Sequence, residues 1–415
     1  MRRLSLKNTP VRPGKVTLFL LISFPVMVLL LLLPINASRL HHAKVTQEHA
    51  TEAGVLAAVR TLVDDLRLQQ SPKLQVLLTK ARRQAAKYAR LNPSLGQRLQ
   101  VDPNLDHSPD GDIVFGSWTN RRFLTEKDLT TPGFLEAIDA VRLTIRRTRL
   151  RGNEVSLYGG GFLPFVDTDV VTKATALYDR RVSGFRPVGD NNIPMVPIAL
   201  RSDPSRSDPL SWEYQVEDAR KFDDWRWNRK KQRFLPGADG IPEMRVRLGG
   251  DAPRSRRTGR QGSGNRREPN ATIVLIGTRT LPQVARQVLD GVGQEDLEQM
   301  DPPRTKLVLN AKNELILPGS PFFSETRLLR NVFRTLQSRR GALDNSRVFP
   351  LFSGFRNGLL VIRGFVAARV AEVQDPTDGP GVVLVLQPTL LALTNALTEQ
   401  ARPINRYIGR CRLVE

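Results

Sequence analysis

The sequence contains few of the residues on which metal proteins and disulfide-bonded proteins depend. It has one cysteine, Cys411, and four histidines, which all lie before residue 108. A single cysteine excludes a disulfide within the chain, and we expect its thiol to be buried and inert. Because no cysteine–histidine cluster occurs, a structural zinc site is not expected.

Sequence motifs of catalysis are missing as well. The chain has no G-x-S-x-G nucleophile turn, no Walker phosphate loop and no H-E-x-x-H pair. Gly159-Gly160-Gly161 lacks the spacing of a phosphate loop, and the carboxylate pair Asp167 and Asp169 is explained by a turn. The sequence therefore predicts a protein that is not an enzyme and that holds no cofactor.

Long apolar runs are absent except for one, from Val16 to Ile35, which contains no charged residue. At a rise of 1.5 Å per residue this run would span roughly 30 Å, the thickness of the hydrocarbon core of a bilayer. Five basic residues precede it: Arg2, Arg3, Lys7, Arg12 and Lys15. By the positive-inside rule, residues 1–15 are cytoplasmic and the bulk of the chain is extracytoplasmic. We predict a single-pass protein of the cytoplasmic (inner) membrane whose transmembrane helix is 16–36.

A cleaved signal peptide is the alternative interpretation of the apolar run. Ile35-Asn36-Ala37 would be a tolerable cleavage site. The run is longer than the 7–15 apolar residues that are typical of a signal peptide, and this length favours a retained anchor.

The helical pattern continues beyond the apolar run. Apolar residues recur at threes and fours, which predicts one helix from Val16 to Leu68, and a second helix is expected at Lys73–Leu91, ended by Asn92-Pro93. Together these helices predict a stalk over 37–105. Small residues on the first helix would let a partner helix approach closely: Ala50, Ala53, Gly54 and Ala57.

From residue 106 onward, alternation of apolar and polar residues predicts strands. Strands are expected, among others, at Ala140–Thr148, Val171–Tyr178, Trp212–Val216 and Leu359–Val373, with hairpins within 112–124 and 306–317. A run of this kind indicates an α+β fold, a mostly antiparallel sheet with flanking helices. Residues 249–269 lack any large apolar side chain and predict a flexible loop between two α+β subdomains, 106–248 and 270–415.

Asp203, Ser205 and Ser207 match D-x-S-x-S, the metal-ion motif of von Willebrand A domains. A carboxylate and two hydroxyls are suitable ligands for Mg²⁺. The alternation of strands and helices that such a domain requires is missing around the motif, and Pro204 favours a simple turn. A turn is therefore the preferred interpretation, and no metal is predicted.

The formal net charge of +22 suggests an anionic partner. The stretch Phe222–Phe234 interleaves Trp225 and Trp227 with five cations: Arg226, Arg229, Lys230, Lys231 and Arg233. Such a surface could hold nucleic acid, anionic lipid or an envelope polymer. The two-residue spacing puts both tryptophans on one strand face, which favours a hairpin with solvated cations. Nucleic acid is therefore a candidate partner that we do not favour.

Several stretches together resemble the TadE/TadG-like family of tight-adherence (Flp/Tad) pilus assembly proteins, in particular a TadG-related subgroup. Lys44–Val63 follows the membrane helix as the family's Ala-rich helix does, and Ala140–Thr148 with Val171–Arg181 is similar to the family's strand pair. Further stretches that look like the subgroup are Gly184–Pro187, Pro194–Leu200, Ser207–Val216, Gly240–Leu248 and Arg363–Gln387.

The resemblance implies a membrane-anchored, non-catalytic component of a pilus or surface-attachment assembly. Its partners would be the lipid bilayer and other membrane helices or pilus assembly subunits. Two rival functions remain open on the sequence alone. One is an exported or anchored binding protein for anionic polymers, either nucleic acid or envelope polysaccharide. The other is a metal-dependent adhesin that acts through Asp203, Ser205 and Ser207.

Overall fold

The computed structural model describes most of the chain. The described ranges are 13–69, 74–125, 137–159, 167–218, 222–249, 270–277, 280–320, 326–340, 345–375 and 381–414. The expected cytoplasmic segment 1–15 and, except for Gly249, the expected loop 249–269 lie almost wholly outside these ranges.

The described residues form five α-helices and eighteen strands. The helices are α1 Pro13–Thr61, α2 Leu74–Leu91, α3 Leu281–Asp290, α4 Gln294–Glu298 and α5 Thr326–Ser338. The strands are β1 Ile113–Thr119, β2 Arg122–Thr125, β3 Ala140–Arg147, β4 Val170–Asp179, β5 Val182–Phe185, β6 Ile198–Arg201, β7 Trp225–Asn228, β8 Arg233–Pro236, β9 Met244–Leu248, β10 Ala271–Val274, β11 Leu307–Val308, β12 Leu315–Ser320, β13 Ser346–Arg356, β14 Leu359–Gln374, β15 Val382–Pro388, β16 Leu391–Ala392, β17 Ala396–Thr398 and β18 Ile408–Val414. A mixed α+β fold with a long apolar N-terminal helix is confirmed.

The first helix has two halves with opposite surroundings. The side chains from Leu18 to Ile35 are mostly exposed, whereas Ala43, Ala50 and Val59 further along α1 are fully buried. The helix ends at Thr61, whereas the periodicity predicted an end at Leu68. The physical reason is a cap: the carboxylate of Asp64 accepts a hydrogen bond from the Leu66 amide at 3.0 Å and starts a separate single turn.

The second half of α1 packs on a six-stranded sheet. Its strand order is β16-β18-β4-β3-β1-β2, antiparallel except for the β16–β18 pair. The β1–β2 hairpin and the β3–β4 pair occur where the sequence predicted them. Helices α1 and α2 pack on this sheet around Leu62, Leu77, Phe115 and Leu143, all nearly inaccessible to solvent. Residues of the expected helical stalk, 37–105, therefore contribute to a folded core.

A seven-stranded sheet forms most of the remaining body. Its order is β12-β10-β6-β13-β14-β15-β9, and β12 also pairs with β14, so the pairings of five strands close into a ring. Strands β13 and β14 are joined at Asn357-Gly358, whose φ angles of 51° and 79° suit the two-residue turn that matches strand twist. Helices α3 and α5 cover this sheet, and its core includes Phe333 and Phe349.

The expected division into two subdomains is not what the structure shows. The six-stranded sheet combines β1–β4 with the C-terminal strands β16 and β18, and the seven-stranded sheet combines β6 and β9 with β10 and later strands. Each sheet therefore takes strands from both sides of residues 249–269. Pairing between distant segments is decided by tertiary packing, which a composition change along the chain does not reveal.

One expected strand and one expected hairpin are not formed. Instead of a strand at Trp212–Val216, the structure has a helical turn at Glu213–Asp218, because Trp212 is buried and its indole N–H donates to the hydroxyl of Tyr407 at 3.2 Å. The expected hairpin within 306–317 does not form either. Strand β11 pairs with β5, while β12 pairs with β10 and β14.

Candidate functional surfaces

The exposed half of α1 is the largest apolar surface of the described residues. It is the one described helix that is long and apolar enough to cross a membrane, and none of the residues in its most apolar window is buried by the rest of the protein. Leucine and phenylalanine side chains are exposed over several turns, and Phe19 is 71% and Leu21 69% exposed. An exposed apolar surface of this extent is unfavourable in water. A bilayer would cover this surface.

A polar clamp marks the point where the exposed half of α1 ends. The side-chain amide of Asn36 donates to the carbonyl of Tyr158 at 3.1 Å and accepts from the Tyr158 amide at 2.9 Å. One turn further, Arg39 donates to the carbonyl of Ser156 at 2.9 Å and to the Tyr158 hydroxyl at 2.8 Å. The folded body is therefore hydrogen-bonded to α1 directly after its apolar segment.

The small residues of α1 are used within the chain. Ala50 and Gly54 are buried, whereas Ala53 and Ala57 are half-buried. A Cβ atom on Gly54 would lie 2.6 Å from Leu143 Cδ2 and 3.0 Å from the carbonyl oxygen of Ala85. The expectation that this face receives a partner's helix is thus corrected for Ala50 and Gly54, because α2 and β3 of the same chain already occupy it.

The D-x-S-x-S segment forms a closed hydrogen-bonded turn after β6. The Asp203 carboxylate accepts the hydroxyls of Ser205 and Ser207 at 2.6 and 2.8 Å and the amides of Ser205, Ser207 and Asp208 at 3.1, 2.8 and 2.8 Å. These bonds, from the Ser205 and Ser207 hydroxyls first, hold the pKa of Asp203 far below its usual range.

The surroundings of this turn also favour a structural role. Arg201 pairs with Asp208, and Arg206 pairs with Glu217 at 3.2 Å. The carboxylate of Glu213 accepts the Asp203 amide at 2.8 Å, so the acidic side chains around Asp203 already have partners within the fold. Among the described residues no group of three or more histidine, cysteine or acidic side chains is placed to hold a metal ion. The arrangement suits a turn, in agreement with the preferred sequence interpretation.

The aromatic and basic stretch folds as the predicted hairpin. Strands β7 and β8 pair antiparallel, with Trp227 opposite Phe234 and their ring centroids 5.0 Å apart. Trp225 and Trp227 are half-buried while Arg226 between them is exposed. The guanidinium of Arg369, on β14, lies 4.8 Å from the Trp227 ring centroid, so the tryptophan face of the hairpin packs on the seven-stranded sheet.

One of the five hairpin cations is a structural residue. The guanidinium of Arg229 makes two hydrogen bonds of 2.5 Å to the carboxylate of Asp64, directly after α1. Burial raises the pKa of Asp64, but the hydrogen bonds from Arg229 and the Leu66 amide, together with the charges of Arg229 and Lys80, outweigh it and the net pKa is lowered. The other four cations make no ion pair with the described part of the chain: Arg226, Lys230, Lys231 and Arg233.

Buried carboxylates hold the base of the hairpin. Glu243 accepts the amides of Asp224 and Trp225 at 2.8 and 3.0 Å, and burial raises the pKa of Glu243 to about 7. Asp239 accepts the Ile241 amide at 3.1 Å, and burial raises its pKa to about 6. Gln387 of β15 donates to both carboxylates at 3.3 Å and ties this network to the sheet.

The single cysteine has the environment of an unreactive thiol. Cys411 lies on β18 opposite Tyr178 and contacts the core beneath α1. Burial raises the pKa of the Cys411 thiol to about 12, so the nucleophilic thiolate is scarce at neutral pH.

A cationic groove beside α2 was missed by the sequence analysis. Arg83, Lys87 and Arg90 repeat at i, i+4 and i+7, and this spacing was the available signal, because it places three cations on one helix face. Arg98 from the loop after α2 lines the same groove.

Comparison of the chain with protein-family models, with curated proteins and with solved structures found no match.

Proposed function

We propose that this protein is a membrane-anchored, non-catalytic component of a bacterial tight-adherence pilus or surface-attachment assembly. Its segment 1–15 would be cytoplasmic and its folded body extracytoplasmic, as the basic residues before the apolar run favour. The pilus role is supported by the resemblance to TadE/TadG-like proteins described above. The anchoring role is supported by the structure of α1.

The observation that carries the proposal is the continuity of α1. One helix of 49 residues begins in the exposed apolar segment and ends among the buried side chains of the six-stranded sheet. Because the helix is unbroken, the position and tilt of the membrane segment would be transmitted to the folded body. This is what an assembly component needs if it is to hold partners at a fixed height above a bilayer.

The clamp at Asn36 favours a retained anchor over a cleaved signal peptide. Cleavage after Ala37 would remove Asn36, whose side chain is 6% exposed and makes two hydrogen bonds to Tyr158. It would also cut α1 between its apolar segment and the part that packs on the six-stranded sheet.

Membrane fractionation followed by intact-mass analysis tests the anchor. We expect the full-length chain to stay in the membrane pellet after an alkaline carbonate wash. A mature chain that begins after Ala37, or a protein released by the wash, would contradict the anchoring role.

A chromosomal deletion tests the assembly role. We expect the deletion strain to lose surface attachment and surface pili, and an affinity-tagged copy to restore both and to retain pilus assembly subunits on purification from mild detergent. A complemented copy in which a soluble leader replaces residues 1–36 is the control and should not restore attachment. Normal pili and attachment in the deletion strain would refute the assembly role while leaving the anchor intact.

A further inference from the structure

The groove beside α2 is a concave surface with a strong charge of one sign. It has a volume of about 640 Å³, and its rim carries Arg83, Lys87, Arg90 and Arg98. Ala86, Leu91, Pro93 and Pro103 also line the groove, and none of its lining residues in the described part of the chain is acidic.

These four cations differ from other arginines in the described part of the chain that pair with carboxylates. Arg356 and Arg363 both contact Glu314, and Arg369 contacts Asp65. The four side chains of the groove, in contrast, are exposed and make no hydrogen bond or ion pair with the described part of the chain. Like charges at i, i+4 destabilise a helix, so an anion that lies between them would relieve their repulsion.

The groove's position relative to the membrane anchor limits what can occupy it. The Ser94 hydroxyl, in the loop after α2, donates to the Ala43 carbonyl at 3.0 Å. Ala43 lies roughly 12 Å along the helix beyond Ile35 at 1.5 Å per residue. Further along α1, Ala85 and Ala89 of α2 lie beside Gly54. Helix α2 is therefore antiparallel to α1, and among its groove cations Arg83 lies farthest from the apolar segment. Gly54 is roughly 28 Å beyond Ile35 by the same rise.

The headgroup layer of a bilayer is too thin to fill such a groove. It adds about 5–7 Å on each side of the hydrocarbon core, whereas the groove extends from roughly 12 Å to nearly 30 Å beyond the apolar segment. A ligand from outside the headgroup layer therefore fits the groove better than a lipid of the same membrane does.

We propose that this groove binds a phosphate-bearing polyanion that lies outside the bilayer. Three of the four cations are arginines, whose planar guanidinium groups bind phosphate oxygens in pairs. The cations of α2 span about 10 Å along the helix axis, a length that accommodates two or more linked phosphate groups. The site is independent of the pilus role, because it depends only on the charge and shape of the α2 groove.

Calorimetric titration with inorganic tripolyphosphate tests the proposal on the full-length protein in nanodiscs of zwitterionic lipid. The test variant combines Arg83→Gln, Lys87→Gln, Arg90→Gln and Arg98→Gln. The matched control removes the same four charges from the hairpin by Arg226→Gln, Lys230→Gln, Lys231→Gln and Arg233→Gln. We expect affinity to fall about tenfold or more in the groove variant and less than about twofold in the control, with a steep salt dependence in the wild type.

Two outcomes of this titration would overturn the proposal. Equal losses in the two variants would mean that only overall charge is sensed, and unchanged affinity in the groove variant would place binding elsewhere. A third arm uses nanodiscs that contain anionic phospholipid. If tripolyphosphate binding disappears there in the wild type, the groove is filled by lipid headgroups and the polyanion assignment is wrong.

A labelling measurement on the unmodified protein keeps the test valid if the groove variant fails to fold. Acetylation of lysines is followed by mass spectrometry with and without tripolyphosphate. We expect the ligand to protect Lys87 and to leave Lys230 and Lys231 on the hairpin unprotected. Equal protection of all three lysines, or none at Lys87, would refute the groove.

Discussion

Asp65 is a buried polar residue whose loss should destabilise the fold strongly. Its carboxylate pairs with Arg369 at 2.5 Å and also accepts the Thr389 hydroxyl at 2.8 Å and the Leu390 amide at 2.9 Å. These bonds join the turn after α1 to β14 of the seven-stranded sheet and to the two residues that follow β15. Both charged side chains are nearly buried, with 12% and 11% exposed.

Replacing Asp65 by alanine leaves the guanidinium of Arg369 buried without its carboxylate. Removing one partner of a buried pair costs about 3–5 kcal/mol of unfolding free energy. With an unfolding entropy of about 2.1 cal/mol/K per residue over about 370 folded residues, this lowers Tm by roughly 4–7 °C.

Asp64 supplies the matched control for this substitution. It is adjacent in sequence and even more deeply buried, but its partner Arg229 has a side chain that is 50% exposed and stays hydrated when the pair is broken. We expect Asp64→Ala to cost only about 1–2 kcal/mol, from the lost cap and a partly screened ion pair.

Thermal unfolding of the full-length protein in detergent, followed by tryptophan fluorescence, measures both variants. Trp227 is a suitable reporter, because its ring lies 4.8 Å from the guanidinium carbon of Arg369. The double variant Asp65→Ala with Arg369→Met removes the buried charge and should recover part of the loss. If Asp64→Ala is as damaging as Asp65→Ala, or the double variant shows the sum of the two single losses, the buried-pair argument is refuted.

Three further measurements test other parts of the structure. Burial raises the pKa of Glu243 from its ordinary 4.5 to about 7, so the folded state binds this proton more tightly than the unfolded state does. Stability is therefore lost as pH rises from about 4.5 to about 7. Glu243→Gln should flatten the dependence of Tm on pH over that range, and an unchanged slope would contradict this. Gly54→Ala should lower stability by about 1–2 kcal/mol in the same unfolding assay, since the new methyl group meets Leu143 and the Ala85 carbonyl, and a Tm at or above that of the wild type would show that the helices can separate. Calorimetry with Mg²⁺ should give no binding heat for the wild type or for Asp203→Ala, because five donors of the turn already surround the carboxylate; heat that disappears in the variant would restore the metal-dependent adhesin.

Local pattern was a reliable guide where structure depends on near neighbours. Helix α2 ends at Leu91 because Pro93 restricts the residue before it, and the hairpins β1–β2 and β7–β8 follow from short alternating runs on either side of a turn. Long strands such as β14 have enough alternating residues to fix their type and bounds.

The pairing of strands that are distant in sequence could not be predicted from local pattern. Nothing near β11 indicates that it lies beside β5, and nothing near β18 indicates that it completes a sheet with β4. The π-type turn after Trp212 depends on Tyr407, which is almost 200 residues away. Such contacts are set by the shape of the core, and neither composition nor periodicity contains that information.

The roles of charged residues show the same division. The sequence identified the hairpin cations but could not separate Arg229, which pairs with Asp64, from four neighbours that face solvent. The sequence does not distinguish Arg82 from its neighbour Arg83 either. Arg82 is 1% exposed and donates to the carbonyl of Ile113, while Arg83 lines the groove.

The sequence by itself determined the apolar segment, most helices and strands and the excess of positive charge, because each depends on residues close together in the chain. The tertiary structure decided that α1 continues into a folded core, that the small residues around Gly54 receive α2, and that Arg83, Lys87, Arg90 and Arg98 surround one groove. These results require segments that are distant in sequence to come into contact, and only packing in three dimensions brings them together.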